Sequence, residues 1–170
     1  AGECPIGIAS SPMDEDYVQF TVKKVGVVTT ALHNCEEGTI IGVRGPFGNG
    51  FPLERIEGRN VVIVGGGFAF TTLRSLTRFI LHEANRDRFK DVTVIYGARD
   101  PGELAYKYDL EAWGKRDDIN LNVTIDKAVL GWTGRVGFVP AVLKEVAPSS
   151  DNAIAIVCGP PIMIKFTMPV

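Results

Sequence analysis

Residues 61–73 read VVIVGGGFAFTTL. The first four residues form a continuous apolar run, which is typical of a strand buried on both faces of a parallel sheet. Three glycines then provide a sharp turn, and Leu73, Leu76 and Ile80 recur at the three- and four-residue spacing of a helix. The pattern therefore predicts a buried strand, a glycine turn and a helix that continues to about Ala84, which together form the first half of a βαβ unit.

Strands and helices continue to alternate after this unit. Further strands are predicted over Asp91–Tyr96, Asn120–Ile125 and Ala153–Val157. Helices are predicted over Leu104–Lys115, with Leu104, Tyr108 and Ala112 on one face; over residues 139–146, with Pro140 in the first turn; and again after Cys158. Because this alternation suits right-handed βαβ units, we expect an α/β fold with a doubly wound parallel sheet over residues 59–170.

Residues 1–58 have a different pattern. Tyr17–Val25 is rich in Val, Phe and Tyr, and Ile6–Ser10 and Thr39–Arg44 are shorter strand candidates, whereas Gly26–Glu37 suits one or two helical turns. Three strands cannot close a barrel, but they are compatible with the second half of an antiparallel one. The chain starts without Met and stops abruptly after Val170, so we expect a fragment truncated at its C-terminus.

Composition excludes several classes of function. The 170 residues carry 18 Lys and Arg against 20 Asp and Glu, and nucleic-acid binding needs a clustered basic excess. No apolar run approaches the roughly 18–20 residues that span a bilayer. Three scattered cysteines fit a reducing, cytoplasmic compartment rather than a disulfide framework. Without a CxxC pair or a His cluster, we expect no metal site in this chain.

The glycine turn is a candidate ligand site. Gly65, Gly66 and Gly67 permit positive φ and close approach of a ligand, and N–H groups at the start of a helix attract phosphate. Thr72 and Arg74 are further donors to such an anion. The alternative is a tight turn with no ligand. The strand before it and the helix after it favour a dinucleotide, although position 70 is Phe rather than Gly or Ala.

Two other strand ends carry candidate residues. No acidic residue ends the second strand, where a ribose-binding carboxylate is expected; Arg99 follows instead, and either meets a 2′-phosphate or pairs with Asp100. Cys158, Gly159 and Pro160 follow the fourth strand, at the sheet edge where ligands bind. On the residues alone, Cys158 is better explained as a small buried hydrophobe than as a nucleophile, since no His lies near it in sequence.

Seven motifs, in order along nearly the whole chain, resemble the ferredoxin–NADP reductase-like flavoproteins. The resemblance is greatest to the FAD/NAD(P)-binding gamma subunits of NAD(P)-linked hydrogenases and anaerobic sulfite reductases, and to the electron-transfer subunit of dihydroorotate dehydrogenase. The motifs are PIGIASS (5–11), VGVVTTAL (25–32), RGPFG (44–48), VGGG with TLRS (64–67 and 72–75), YGAR (96–99), GWTGRVG (131–137) and CGPP (158–161).

This resemblance implies a partial FAD-binding β-barrel over residues 1–58 and an NAD(P)-binding α/β domain over residues 59–170. It puts the flavin ring at Ile6, Gly7, Ile8, Ala9 and Ser10, where Cys4-Pro5-Ile6-Gly7 replaces the usual Arg-x-Tyr-Ser. The flavin pyrophosphate would lie at Gly26, Val28, Thr29 and Thr30, which otherwise form a capped surface helix. The NAD(P) pyrophosphate would lie at the glycine turn and Thr72. Cys158, Gly159 and Pro160 would lie beside the nicotinamide, with Cys158 as the catalytic residue that positions hydride transfer.

The implied function is that of an oxidoreductase subunit. It would transfer hydride between NAD(P)H and FAD and pass electrons to iron–sulfur partner subunits of the hydrogenase or sulfite reductase type. A [2Fe–2S] centre is expected only beyond Val170. The alternative is a nucleotide-binding assembly or sensing subunit without productive flavin chemistry, supported by the departures at Cys4, Ile6 and Gly7. A short-chain nicotinamide dehydrogenase is disfavoured because the chain has no Tyr-x-x-x-Lys pair.

Overall fold

A parallel sheet forms the centre of the computed structural model, which describes residues 2–170. Within that range the sheet has five strands in the order β4-β3-β2-β1-β5. The strands are β1 (Asn60–Gly66), β2 (Val92–Ala98), β3 (Asn120–Ile125), β4 (Arg135–Val136) and β5 (Ala153–Cys158). The chain runs outward from β1 to β4 and then returns to place β5 on the other side of β1. The crevice between β1 and β5, at their carboxyl ends, is thus the switch point of the topology, where such sheets bind ligands.

Helices cover both faces of the sheet. The described residues form α1 (Val27–His33), α2 (Leu53–Ile56), α3 (Phe70–Leu81), α4 (Lys107–Gly114), α5 (Val139–Val146) and α6 (Pro161–Thr167). Alternate residues of β1 enter two separate cores: Val61 and Ile63 pack with α3 and α4, whereas Val62 and Val64 pack with α5 and α6. The predicted doubly wound parallel sheet is therefore confirmed.

Two predicted helices differ in detail from the structure. α3 ends at Leu81 rather than near Ala84, because the buried Asn85 turns back and donates its side-chain amide to the Phe79 carbonyl at 3.0 Å. α4 starts only at Lys107, after a short irregular stretch that ends in the left-handed Tyr106 and that the sequence prediction included in the helix. It consequently buries Leu110 and Trp113, and not the face that the sequence indicated.

The strands predicted within residues 2–58 are wrong as regular strands. Ile8 and Phe20 form one isolated antiparallel bridge, and Thr39–Arg44 joins no ladder in the described chain. A β-prone segment becomes a strand only where a neighbour accepts its backbone hydrogen bonds. Ile40, for example, is 97% exposed. The predicted helical turns did form as α1, whereas α2 had no clear signal in the sequence.

Candidate functional site

The outer face of α3 carries the N-terminal segment that was predicted to face a flavin. A Cβ on Gly7 would lie 2.4 Å from Thr72 Cγ2, so the backbone of Gly7 passes directly against that side chain. One turn further along α3, Ser75 Oγ donates to the Ser10 carbonyl at 2.6 Å. These contacts fix the N-terminal segment beside the strand–turn–helix unit, and we refer to this junction as the α3 seam.

Arg78 adds an ion pair to the α3 seam. Its guanidinium donates to both carboxylate oxygens of Asp14, at 2.7 and 2.9 Å, and both side chains are largely buried. The acidic stretch that contains Asp14 thus has a partner on α3. Within residues 2–170, no group of three or more His, Cys, Asp or Glu side chains could hold a metal ion.

Arg74, a predicted phosphate ligand, is only 7% exposed and is occupied by protein partners. Its Nη1 donates to the Ala9 carbonyl at 2.8 Å and to Gln19 Oε1 at 2.7 Å. Its Nε donates to Asp109 at 2.5 Å, and the guanidinium lies 4.4 Å from the centroid of the Tyr106 ring. This arrangement favours a structural role for Arg74 and does not favour phosphate binding.

Cys158 and Thr72 meet in the crevice between β1 and β5. Thr72 Oγ1 lies 3.9 Å from Cys158 Sγ and 3.2 Å from the Ala69 carbonyl, in donor geometry to each. Cys158 is half-buried and pairs with Gly65 in the register of the sheet. Because Thr72 also contacts Gly7, one threonine links the predicted flavin-facing segment to the predicted nicotinamide-facing cysteine.

The three glycines of the turn have different surroundings. A Cβ on Gly65 would lie 2.4 Å from the Phe70 ring, and one on Gly66 would lie 2.4 Å from Met163 Sδ. The Phe70 ring is buried, so internal packing requires glycine at position 65, whereas the flexible Met163 side chain could move away from a larger residue at position 66. Gly67 has φ +56°, and a Cβ there would point into open space, away from the other residues of the described range. Open backbone that a phosphate can approach is thus found at Gly67.

A groove of about 330 Å³ runs between the N-terminal segment and the start of α3. Ile6, Gly7 and Thr29 from the predicted flavin set line it, together with residues that the sequence did not single out, including Lys23 and Phe68. Its volume lies in the range of roughly 300–1,000 Å³ that ligand pockets occupy. Apolar walls suit a flat ring, and a cation beside hydroxyl groups suits a phosphate, so the residues present fit FAD in character.

The start of α1 forms a capped helix. Thr29 Oγ1 accepts hydrogen bonds from the N–H groups of Val25 and Gly26, each at 2.9 Å. The Thr29 hydroxyl therefore closes the entrance of the helix while its side chain also lines the groove. Val28 and Thr30 lie on the same half-buried turn. These residues form the capped helix that was the alternative to a flavin site, and their role in binding the flavin pyrophosphate remains a prediction.

Arg99 lies exposed just after β2. The carboxylate of Asp100 accepts N–H groups of Gly102 and Glu103, at 2.7 and 3.2 Å, and so closes the loop through the backbone. Among the described residues, Arg99 does not form the alternative ion pair with Asp100. Arg99 consequently remains at the carboxyl edge of the sheet as a cation that can meet a phosphate.

Tyr96, which is fully buried, and Tyr106, which is half-buried, act as neutral hydrogen-bonding groups. Burial raises the pKa of Tyr96, whose hydroxyl accepts the N–H of Ala105 at 3.0 Å. Burial also raises the pKa of Tyr106, whose hydroxyl is paired with Thr21 Oγ1. Both side chains therefore stay protonated at neutral pH. Tyr106 covers the guanidinium of Arg74, whereas Tyr96 holds the backbone at Ala105.

A doubly wound parallel sheet with a glycine turn at its switch point defines a dinucleotide-binding domain. The chain belongs to the oxidoreductase NAD-binding domain family, whose model matches residues 63–168. It is 34% identical over 167 residues to sulfhydrogenase 1 subunit gamma of Pyrococcus furiosus, covering 96% of this chain and 56% of that protein. It is also 34% identical over 173 residues to a probable dihydroorotate dehydrogenase B (NAD(+)), electron transfer subunit, of Thermococcus kodakarensis, covering 99% of this chain and 62% of that protein.

Solved structures share the fold. The CS-b5R domains of human Ncb5or, in the NAD+ form, superpose with a TM-score of 0.76 at 16% identity, covering 98% of this chain and 51% of that one. A ferredoxin NADP+ reductase from Neisseria gonorrhoeae with bound FAD and NADP gives a TM-score of 0.71 at 19% identity, covering 96% and 69%. The ferredoxin reductase-like architecture implied by the motifs is thereby confirmed. No helix among residues 2–170 has both the length and the apolar character that a bilayer crossing requires.

Proposed function

We propose that this chain belongs to an electron-transfer subunit in which NAD(P)H and FAD meet at the α3 seam, and from which electrons pass to iron–sulfur partner subunits of the hydrogenase or sulfite reductase type. One observation carries the proposal: Thr72 touches Gly7 on one side and reaches Cys158 on the other. The chain spans 56% and 62% of the two relatives named above, so partners, a [2Fe–2S] centre outside this chain, and a cytoplasmic location all belong to the proposal.

The nucleotide would lie across the carboxyl edge of the sheet. Gly67 offers open backbone to the pyrophosphate, and the 3₁₀ turn that begins there leads directly into α3. Cys158, Gly159 and Pro160 border the crevice on the β5 side and would lie beside the nicotinamide. Arg99, at the end of β2, would meet the adenosine end, where a 2′-phosphate would give it a partner.

The flavin would occupy the groove. Its ring would lie along the backbone of Ile6 and Gly7, and its pyrophosphate near Thr29 at the start of α1, with Lys23 as an additional cation. Bound FAD would supply the capacity to accept a hydride and release electrons one at a time. The contribution of the chain is orientation: reacting atoms must be held roughly 3–3.5 Å apart, and the α3 seam keeps the two binding surfaces in contact.

An anaerobic titration tests this function. The protein is reconstituted with FAD, and the visible absorbance of oxidised flavin is followed as NADH or NADPH is added. Bleaching by either nucleotide is expected. If neither nucleotide reduces a flavin that is demonstrably bound, the proposal fails.

A pair of cysteine variants tests the role given to Cys158. We expect Cys158→Ala to slow flavin reduction about tenfold or more in stopped flow while calorimetry shows a smaller change in nucleotide affinity. Cys35→Ala is the matched control, because Cys35 is exposed just beyond the C-terminal end of α1 and its thiol donates to the Ala31 carbonyl. Equal losses in rate and affinity for Cys158→Ala would contradict a positioning role.

A nucleotide-binding assembly or sensing subunit is the second candidate. The isolated Ile8–Phe20 bridge favours it, because residues 2–58 offer a flavin little regular structure. This candidate predicts that NAD(P)+ binds by calorimetry while added FAD does not. Binding of both ligands would remove it.

A further inference from the structure

We propose that Arg74 is a positioning residue that sets the distance between the predicted flavin-facing segment and the Thr72–Cys158 pair. This inference rests on the proposed function, since it concerns how the two ligand surfaces are held together. It also explains why the Arg74 guanidinium is buried against protein partners, which phosphate binding does not.

The geometry of the guanidinium supports this role. Its two nitrogens Nε and Nη1 join three parts of the chain. They reach α4 through Asp109, the N-terminal segment through the Ala9 carbonyl, and residues 19–21, here called the returning segment, through Gln19 Oε1. The partners are 35, 65 and 55 residues away in sequence. Arg74 is therefore a point at which otherwise separate segments share one rigid planar group.

Position along α3 connects Arg74 to the crevice. Thr72, two residues earlier, contacts Gly7 and reaches Cys158, and Ala9 is two residues after Gly7. The helix thus holds the same short segment at two points, once at Gly7 through Thr72 and once at Ala9 through Arg74. With Ala9 fixed, Gly7 cannot slide relative to Thr72 without breaking the bond to Arg74.

An arginine is specifically suited to this junction. A guanidinium is planar and presents fixed donors in several directions, whereas a lysine ammonium is a single point charge on a flexible stem. Tyr106 covers the guanidinium at 4.4 Å from its ring centroid, and Tyr106 is itself paired with Thr21 of the returning segment. Arg74→Lys keeps the charge but cannot reach Asp109, Ala9 and Gln19 with the same geometry.

The test compares Arg74→Lys with Arg86→Lys. Arg86 is also largely buried and donates to the carbonyls of Asp118 and Phe89, but these partners all lie at the opposite edge of the sheet. In the FAD-reconstituted protein, we expect Arg74→Lys to lower the flavin-reduction rate at saturating NAD(P)H at least about tenfold while nucleotide affinity changes less than about threefold. Arg86→Lys should leave both unchanged even if it lowers the melting temperature equally.

Hydrogen exchange on the flavin-free protein provides a readout that is independent of activity. The N–H groups of Ala9 and Ser10 both donate to the Gln19 carbonyl, at 2.8 and 3.3 Å. These amides should exchange faster in Arg74→Lys than in the parent protein, and should be unaffected in Arg86→Lys. Unchanged exchange at Ala9 and Ser10 in Arg74→Lys would overturn the inference.

Asp109→Asn is the second variant, and it tests the same inference if Arg74→Lys does not fold. It retains Arg74 and a side chain of the same shape but removes the ionic anchor, so we expect a smaller fall in reduction rate in the same direction. If the parent protein is reduced normally and neither variant changes the rate, the inference fails while the proposed function stands. If the parent protein with bound FAD is not reduced at all, the proposed function fails and this role falls with it.

Discussion

The glycines in the turn after β1 differ in their surroundings: one is constrained by packing, and another is open to a ligand. Gly65 accommodates the ring of Phe70, which stacks on Tyr96 with ring centroids 4.0 Å apart, so the missing side chain lets α3 approach the sheet. This explains why position 70 can be Phe where a dinucleotide motif commonly has a third small residue. Gly67, by contrast, has positive φ and open surroundings. The first glycine therefore serves the core, and the last is the one that we expect to meet a ligand.

Substitution of these glycines should separate stability from binding. We expect Gly65→Ala to lower the free energy of unfolding by about 1–3 kcal/mol, because its Cβ would overlap the buried Phe70 ring. Gly67→Ala should cost only about 1–2 kcal/mol of backbone strain but weaken NAD(P)+ binding about tenfold. Denaturant titration and calorimetry on both variants check this. Full nucleotide affinity in Gly67→Ala would refute the assignment of Gly67.

Arg74 shows what a residue-level prediction lacks. The sequence correctly indicated that the turn before it is a strand-to-helix connection, and a cation near a helix N-terminus is a reasonable phosphate ligand. Its actual partners, Ala9, Gln19 and Asp109, are distant in sequence and belong to no local motif. Only the packed structure brings them together.

At the scale of elements, buried strands were the most predictable. Continuous apolar runs gave β1, β2 and β5 nearly to their ends, and β3 spans the predicted residues Asn120–Ile125. β1, β2 and β3 each have partners on both sides, so local pattern and tertiary context agree there. Among the described residues, β5 pairs with β1 alone. The two-residue β4 and the start of α4 were not predicted, because they depend on loop geometry, including the left-handed conformation of Tyr106 at φ 57°.

The connection between α4 and β3 should confer a measurable pH dependence. Arg116, through its side-chain hydrogen bond, holds the pKa of Asp118 below its ordinary value of 3.8, with a further contribution from Arg86. A carboxylate whose pKa is lower in the folded state stabilises that state above the unfolded pKa, and this stabilisation is lost as the pH falls through the native pKa.

Asp118→Asn should therefore lower the melting temperature at pH 6 and flatten its decline below about pH 4. Asp117→Asn is the neighbouring control, and should retain the decline seen in the parent protein. Thermal melts between pH 6 and 2.5 make the comparison. Parallel curves for Asp118→Asn and the parent protein would show that this carboxylate does not link α4 to the 3₁₀ turn at Arg86–Arg88.

At the scale of the whole molecule, stability is unevenly distributed. The sheet and its helices form two apolar cores, and Ile56 of α2 belongs to the larger one, whereas residues 2–50 are held mainly by the α3 seam. Regions with few buried apolar contacts open at low free energy, so the N-terminal part should exchange its amide hydrogens well before β1 and β2 do. A ligand that binds to the N-terminal part should therefore slow its hydrogen exchange without changing the fold.

Ligand-dependent hydrogen exchange across the whole chain is the last prediction. FAD should slow exchange in residues 4–7 and 21–29, and NAD(P)+ should slow exchange in residues 67–72 and 158–160. Thr72 should respond to both ligands, because it lies between the two surfaces.

A second cavity of about 350 Å³ at the amino ends of β1, β2 and β3, bordered by Asn60 and Asp91, is an internal control. Doubly wound sheets bind ligands at the opposite, carboxyl edge, so neither ligand should protect that cavity. Protection there, with none at residues 67–72, would mean that the binding edge of the sheet has been wrongly assigned.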